Sequence, residues 1–342
     1  MNIKIFKGDF FEIGSQQGKI YSKNRMSFKH INIDHRLFRN QLRVYKKYYP
    51  DLLEEFKGVA LAGKFDENNL IYKFITEEIL QFTNRFNLQK ACTVFGVKSQ
   101  KGIFVGRNYD WRPVTEKVFG VYKVVNPERN SFIALTDMGI TGVSDAKPKY
   151  LFYNSDDAIN DKGLFIGINF AYNYKWSYGL SCIHMTKLIA ETCSTVGDAI
   201  KVFKTVPLCC PKNFFIADGD GDMAVVEHTS KKYKIIYPEN NVLIKTNHYI
   251  DPELAKEDAV LIRKPTHNTF LRYYETLQKV NARGEKFLLP DVIKILGDAE
   301  SCVCQNQHDV KTIWSLALDM KKRKYNLYWN TAEKRKKQIL KL

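Results

Sequence analysis

Ala91-Cys92-Thr93-Val94-Phe95-Gly96-Val97, continuing through Lys101-Gly102 to Ile103-Phe104-Val105-Gly106-Arg107-Asn108-Tyr109-Asp110-Trp111, is the stretch that decides the fold. Before it, apolar residues recur at three and four residue spacing: Leu52, Phe56, Val59 and Ala60, then Ile71, Phe74, Ile75, Ile79 and Phe82. That is the period of an amphipathic helix. At Cys92 the period drops to two, and the Lys101-Gly102 turn separates two runs that read as a β-hairpin. An antiparallel hairpin returns the end of its second strand beside the start of its first, which brings Arg107 and Asp110 toward Cys92. A nearby guanidinium favours thiolate, and a carboxylate can hold a terminal ammonium or orient an amine as a base. A buried cysteine acting as a small hydrophobe beside a structural Arg to Asp pair is the plainer reading. Burying those charges without use costs free energy, which favours the chemical one.

Working outward, residues from about 12 to 90 read as an all-helical leader. Strands are expected at 119–126, 131–136, 163–170, 213–217, 222–228, 232–237, 242–246, 311–319 and 324–329. Helical stretches fall at 180–204 and 266–298. Blocks of strand separated by blocks of helix predict sheets packed face to face with helices outside, an α+β chain. At 342 residues the chain suits one large domain or two smaller ones, and no internal repeat or long linker divides it.

Lys plus Arg outnumber Asp plus Glu by 53 to 37, a net charge of +16, which raises nucleic acid as a partner. The excess is dispersed. Its densest runs, Lys321-Lys322-Arg323-Lys324 and Glu333-Lys334-Arg335-Lys336-Lys337, have little aromatic interleaving and read as a solvated face. The start lacks the apolar core of a secretory signal, and no stretch approaches the roughly eighteen apolar residues of a membrane helix. A cytoplasmic protein with no membrane and no nucleic-acid partner is expected. Seven cysteines, an odd number without regular spacing, fit reduced thiols better than a disulfide scaffold.

Metal and cofactor signals are weak. Asp218-Gly219-Asp220-Gly221-Asp222 lacks the spacing and terminal Glu of a calcium loop and reads as a turn between strands. Cys302-Val303-Cys304 with His308 lacks a second pair, and Cys209-Cys210 is no better as a zinc signature. No metal and no cofactor is expected. No histidine, His184, His228 and His248 included, falls in a motif that ties it to Cys92 as a base.

The residues around Cys92 resemble the N-terminal nucleophile (Ntn) hydrolases of the linear amide group. That group includes the penicillin acyl-CoA:6-aminopenicillanic acid acyltransferases and the choloylglycine hydrolases. Gly8-Asp9-Phe10-Phe11-Glu12-Ile13-Gly14-Ser15-Gln16-Gln17-Gly18 is similar to the opening motif of the acyltransferase branch. Asn160-Asp161-Lys162-Gly163-Leu164 and Gly167-Ile168-Asn169-Phe170 resemble the family's turn and strand, whose asparagine is Asn169 here. Lys245-Thr246-Asn247-His248 resembles the strand end whose asparagine donates to the oxyanion, and the family's further arginine corresponds to Arg272. Ala91 stands where the branch typically has glycine.

The resemblance implies a four-layer αββα sandwich of two antiparallel sheets behind a helical leader. It implies a leader of residues 1–91 and a catalytic unit of 92–342, with autocatalytic cleavage between Ala91 and Cys92. The catalytic set would be Cys92, Arg107, Asp110, Asn169, Asn247 and Arg272. The substrate would be a small-molecule amide or an acyl-CoA-like thioester, and the cleaved fragments would stay associated. Hydrolysis without acyl transfer, of the choloylglycine or penicillin V acylase kind, is the alternative within the group. An inactive binding protein on the same fold is the alternative outside it. A homo-oligomer is compatible with either.

Overall fold

Strand Lys4–Lys7 (β1) leads into four helices, Phe10–Lys23 (α1), His35–Tyr48 (α2), Pro50–Gly63 (α3) and Glu67–Thr83 (α4). Their ends follow local chemistry. Asp9 and Glu12 form a reciprocal capping box at α1, Asp34 accepts two backbone N–H groups at the head of α2, and Pro50 opens α3 where its missing N–H is harmless. The structure, a computed structural model, describes residues 1, 3–83, 91–137, 154–171, 173, 175–259, 268–330 and 335–342.

The hairpin expected at Cys92 is present as Ala91–Ser99 (β2) and Gly102–Trp111 (β3). Then come Gly120–Val125 (β4), Phe132–Thr136 (β5), Asp157–Asn160 (β6) and Phe165–Phe170 (β7). Helices Cys182–Thr192 (α5) and Val196–Thr205 (α6) precede Lys212–Ala217 (β8), Met223–His228 (β9), Tyr233–Ile236 (β10) and Val242–Lys245 (β11). Pro252–Ala255 (α7), Thr269–Asn281 (α8) and Leu289–Gly297 (α9) follow, and Lys311–Asp319 (β12), Lys324–Trp329 (β13) and Lys336–Leu340 (β14) close the chain.

Two sheets result, one ordered β1-β4-β5-β6-β7-β8-β9-β10 and the other β11-β2-β3-β12-β13-β14. Three apolar clusters separate the layers. Phe56, Phe74, Ile189, Phe203 and Phe214 fill the space between leader helices, α5, α6 and the outer face of the larger sheet. Val94, Val105, Tyr109, Phe215 and Trp314 lie between the sheets, and Phe95, Phe104, Val280, Val292 and Leu296 lie between the smaller sheet, α8 and α9. Helix, sheet, sheet, helix is the expected αββα order.

The leader is not all helical. Its β1 joins the larger sheet, pairing in parallel with β4 from Lys4 opposite Tyr122 to Lys7 opposite Val125. Four residues with a single buried side chain, Phe6, carry too little pattern to be read as a strand. The short β6 escaped detection for the same reason. The second basic run, read as a solvated face, partly forms β14, an edge strand on β13. Edge lysines there block further pairing, while Arg335 turns inward to donate to Ser315 Oγ at 2.6 Å.

The opening motif has a packing cause. A Cβ on Gly14 would sit 1.9 Å from the Glu55 carbonyl oxygen, and one on Gly58 would sit 2.2 Å from the Phe11 carbonyl oxygen. Helices α1 and α3 therefore touch backbone to backbone. Gly14→Ala is expected to force them apart and destabilise the chain by about 1–3 kcal/mol. A denaturant midpoint unchanged from wild type would show that the close approach is dispensable.

Candidate active site

Strand alternation sorts the hairpin residues onto two faces. Cys92 lies opposite Tyr109, Val94 opposite Arg107, and Ala91 opposite Asp110. Cys92 and Arg107 thus share the face toward the larger sheet. Arg107 and Asp110, three residues apart on one strand, must point to opposite faces. Asp110 stands beside Ala91, at the N-terminal side of the Ala91–Cys92 bond, rather than beside the sulfur.

Arg107 is fully buried and held from three sides. Its Nε lies 3.1 Å from Asp157 Oδ1, its Nη2 donates to the Ile168 carbonyl at 2.6 Å, and its Nη1 donates to Asn169 Oδ1 at 3.2 Å. Trp314 Nε1 in turn fixes Asp157 Oδ2 at 2.7 Å. Burial works against the guanidinium charge, but Asp157 and a thiolate at Cys92 hold its pKa above the ordinary value.

The peptide atoms of Cys92 are gripped by three distant side chains. Asn247, just past β11, accepts the Cys92 N–H on Oδ1 at 2.7 Å. Asn169 on β7 donates from Nδ2 to the Cys92 carbonyl at 3.3 Å, and Arg272 on α8 donates to the same oxygen from Nη1 at 2.5 Å. Arg272 also reaches Thr93 Oγ1 at 2.9 Å and Asn247 Oδ1 at 2.8 Å. With two donors on it, that Asn247 atom must be the oxygen. Its Nδ2 donates to the Phe170 carbonyl at 3.0 Å, so in the continuous chain Asn247 presents an acceptor, not a donor, to Cys92.

Cys92 itself is 1% exposed, with Val94, Tyr109 and Trp111 in its apolar cluster. Asn169, Asn247, Arg107 and Arg272 therefore converge on its backbone and on its side-chain face, and Asp110 lies across the sheet. Other contributors had no local signal in the sequence. Thr269 Oγ1 accepts the Asn247 N–H at 2.9 Å, Asp157 and Trp314 orient Arg107, and Thr312 Oγ1 donates to Asp110 Oδ1 at 2.6 Å. All join residues far apart in the chain.

His248 contacts Thr269 Oγ1 through Nδ1 at 3.1 Å. Burial, then Lys245 and Arg272, push its pKa down to about 3, which makes it a poor base.

Burial pushes Asp110 up to about 7, against the opposing pull of Arg272, the Thr312 hydroxyl and Arg107. Its Oδ2 is buried without a hydrogen-bond partner among the described residues. Between about pH 4 and 7 the folded chain keeps a proton that the unfolded chain has released, so this group's contribution to stability falls as pH rises, by up to about 4 kcal/mol. Asp110→Asn is expected to gain stability relative to wild type across that window and to level off above it. A difference in denaturant midpoint that stays flat with pH would contradict the assignment.

Two mostly antiparallel sheets facing each other between helical layers, with the polar constellation where their strands meet, define the fold of the Ntn hydrolases that act on linear amides. A family model for acyl-coenzyme A:6-aminopenicillanic acid acyl-transferase matches residues 97–334, and the chain belongs to that family. This places it among enzymes of amide hydrolysis and acyl transfer. The match begins just after Cys92.

Among solved structures, penicillin V acylase from Agrobacterium tumefaciens is similar at 16% identity and a TM-score of 0.50, over 70% of this chain and 83% of that one. A variant of the conjugated bile acid hydrolase from Clostridium perfringens gives 15% identity and a TM-score of 0.51, over 73% and 92%. At such identities the likeness concerns the fold. No curated protein matches the sequence.

Proposed function

We propose that the chain is a cysteine Ntn amidohydrolase or acyltransferase that cleaves itself between Ala91 and Cys92 and then acts through an acyl-enzyme on Cys92. The observation that carries this reading is the grip of Asn247, Asn169 and Arg272 on both the N–H and the carbonyl of Cys92. A residue kept only for packing has no need of three polar side chains on its backbone N–H and carbonyl.

In maturation the Cys92 thiol adds to the Ala91 carbonyl carbon, the bond to the Cys92 nitrogen breaks, and the resulting thioester is opened by water. The products are an Ala91 carboxylate and a free amine on Cys92. Asp110, paired with Ala91 across the hairpin, is the carboxylate proposed to assist that amine. An α-amine titrates near 8, so it is partly neutral at cellular pH and serves as base without a histidine. In turnover the thiol attacks an amide or thioester carbonyl while the amine takes up its proton and returns it to the leaving group. Asn247 and the Asn169 backbone N–H stabilise the oxyanion, and Arg107 favours the thiolate. Water or an amine then takes the acyl group.

The leader is proposed to stay bound after cleavage. It contributes β1 to the larger sheet, and Glu55 on α3 forms a buried ion pair with Lys187 on α5. No helix among the described residues is long and apolar enough to cross a membrane, and a cytoplasmic location is part of this proposal.

Incubation with a small-molecule N-acyl amide tests the reading. The fragment that begins at Cys92 is expected to gain the mass of the acyl group at that residue, and an added amine to divert acyl groups from acid to amide if transfer operates. Turnover with no thioester at Cys92 after rapid acid quench, even for a slow substrate, would reject it.

A further inference from the structure

Outside this site, three thiols and a carboxylate meet where the leader touches the catalytic unit. Glu78 on α4 accepts from the Cys182 thiol at 2.9 Å on Oε1 and lies 3.6 Å from Cys209 Sγ through Oε2. Cys209 Sγ and Cys210 Sγ are 3.5 Å apart. The ligand atoms of Glu78, Cys209 and Cys210 all fall within 4.8 Å of one another, and all three residues are buried. Lys212 Nζ completes the group, 2.7 Å from Glu78 Oε1. The surrounding wall is apolar, with Leu37, Ile79 and Phe170.

We infer that Glu78, Cys209 and Cys210 form a binding site for a thiophilic divalent cation of the zinc class, clamping the leader to the catalytic unit. Spacing supports it. Tetrahedral zinc with sulfur at about 2.3 Å and carboxylate oxygen at about 2.1 Å needs edges of roughly 3.8 Å between sulfurs and 3.6 Å between sulfur and oxygen. The chain offers 3.5 Å and 3.6 Å for two of the edges, and the third lies within 4.8 Å. Charge supports it too. Two thiolates and one carboxylate bring three negative charges, which the cation and the Lys212 ammonium cancel, leaving a buried cluster without net charge.

Binding replaces the two S–H protons by two metal to sulfur bonds and releases both protons to solvent, with no change of oxidation state. A phenylalanine of the same apolar wall, Phe170, supplies the carbonyl that holds Asn247 Nδ2, so the clamp also braces the strand end beside Cys92.

The test is titration of the purified full chain, first freed of metal by chelator, with Co2+ and then Zn2+. One equivalent of Co2+ should give a sulfur-to-cobalt charge-transfer band, which Zn2+ then abolishes. Cys209→Ser combined with Cys210→Ser should weaken binding by more than the 10 to 100-fold typical of outer-shell changes, whereas Cys193→Ser, at a thiol outside the cluster, should leave it intact. Glu78→Gln gives a second variant should the double one fail to fold. Absence of the band in wild type or its persistence in the cysteine variants would each overturn the inference. Amide turnover is not part of the readout, so failure here leaves the proposed activity untouched.

Discussion

Replacing Cys92 with alanine is expected to abolish both self-cleavage and amide turnover, the latter by on the order of 10⁴-fold or more. The loss should be complete in kind, because in the proposed scheme one sulfur performs both steps: it attacks Ala91 once and substrate carbonyls thereafter. The fold should survive. Cys92 is small, and alanine removes a single atom from a cluster that keeps Val94, Tyr109 and Trp111. Expected, then, are a cooperative melt, one full-length species, and no acylated protein. Residual cleavage at the same bond would transfer the chemistry to another group.

The next largest effect is expected at Asn247, and its two heteroatoms can be separated. Oδ1 receives the Cys92 N–H and Arg272, while Nδ2 is the proposed oxyanion donor. Asn247→Asp keeps an acceptor for both partners and loses the amide donor. It should position Cys92 but lose about 10²–10³ in kcat, some 3–4 kcal/mol of barrier, with little change in KM. Asn247→Ala loses the acceptor as well and should also slow maturation. If aspartate supported wild-type kcat, holding the Cys92 nitrogen would be the residue's whole contribution and the oxyanion would need another donor. In the continuous chain Nδ2 binds the Phe170 carbonyl, so the donor role requires that bond to be exchanged on substrate binding.

How much of this was readable from the sequence varies with distance along the chain. The change of period at Cys92 located the hairpin because strand alternation is a local property, and it also marked the end of the leader helices. The same rule, applied to Arg107 and Asp110, separates their faces: an odd spacing on one strand cannot put both beside one sulfur. Hairpin closure alone suggested otherwise. Asn169, Asn247 and Arg272 were reachable only through resemblance, since each comes to Cys92 from a different element by pairing of distant strands and helix docking. Asp157, Trp314 and Thr269 left no local trace at all.

Short elements were lost for another reason. Lys4–Lys7 and Asp157–Asn160 span too few residues to set a period, and they gain stability from the sheet that receives them. The Cys209-Cys210 pair is unconvincing as a zinc signature in the sequence alone. Glu78, the carboxylate beside the pair, arrives from α4.

The mass of the purified, denatured chain, with sequencing of any new N-terminus, tests the central claim most directly. An active preparation should contain two fragments, the larger beginning at Cys92 and co-purifying with the leader under native conditions. A single uncut chain that turns over amides at full rate would contradict it, since the Cys92 nitrogen would then still be an amide with no basic lone pair to offer.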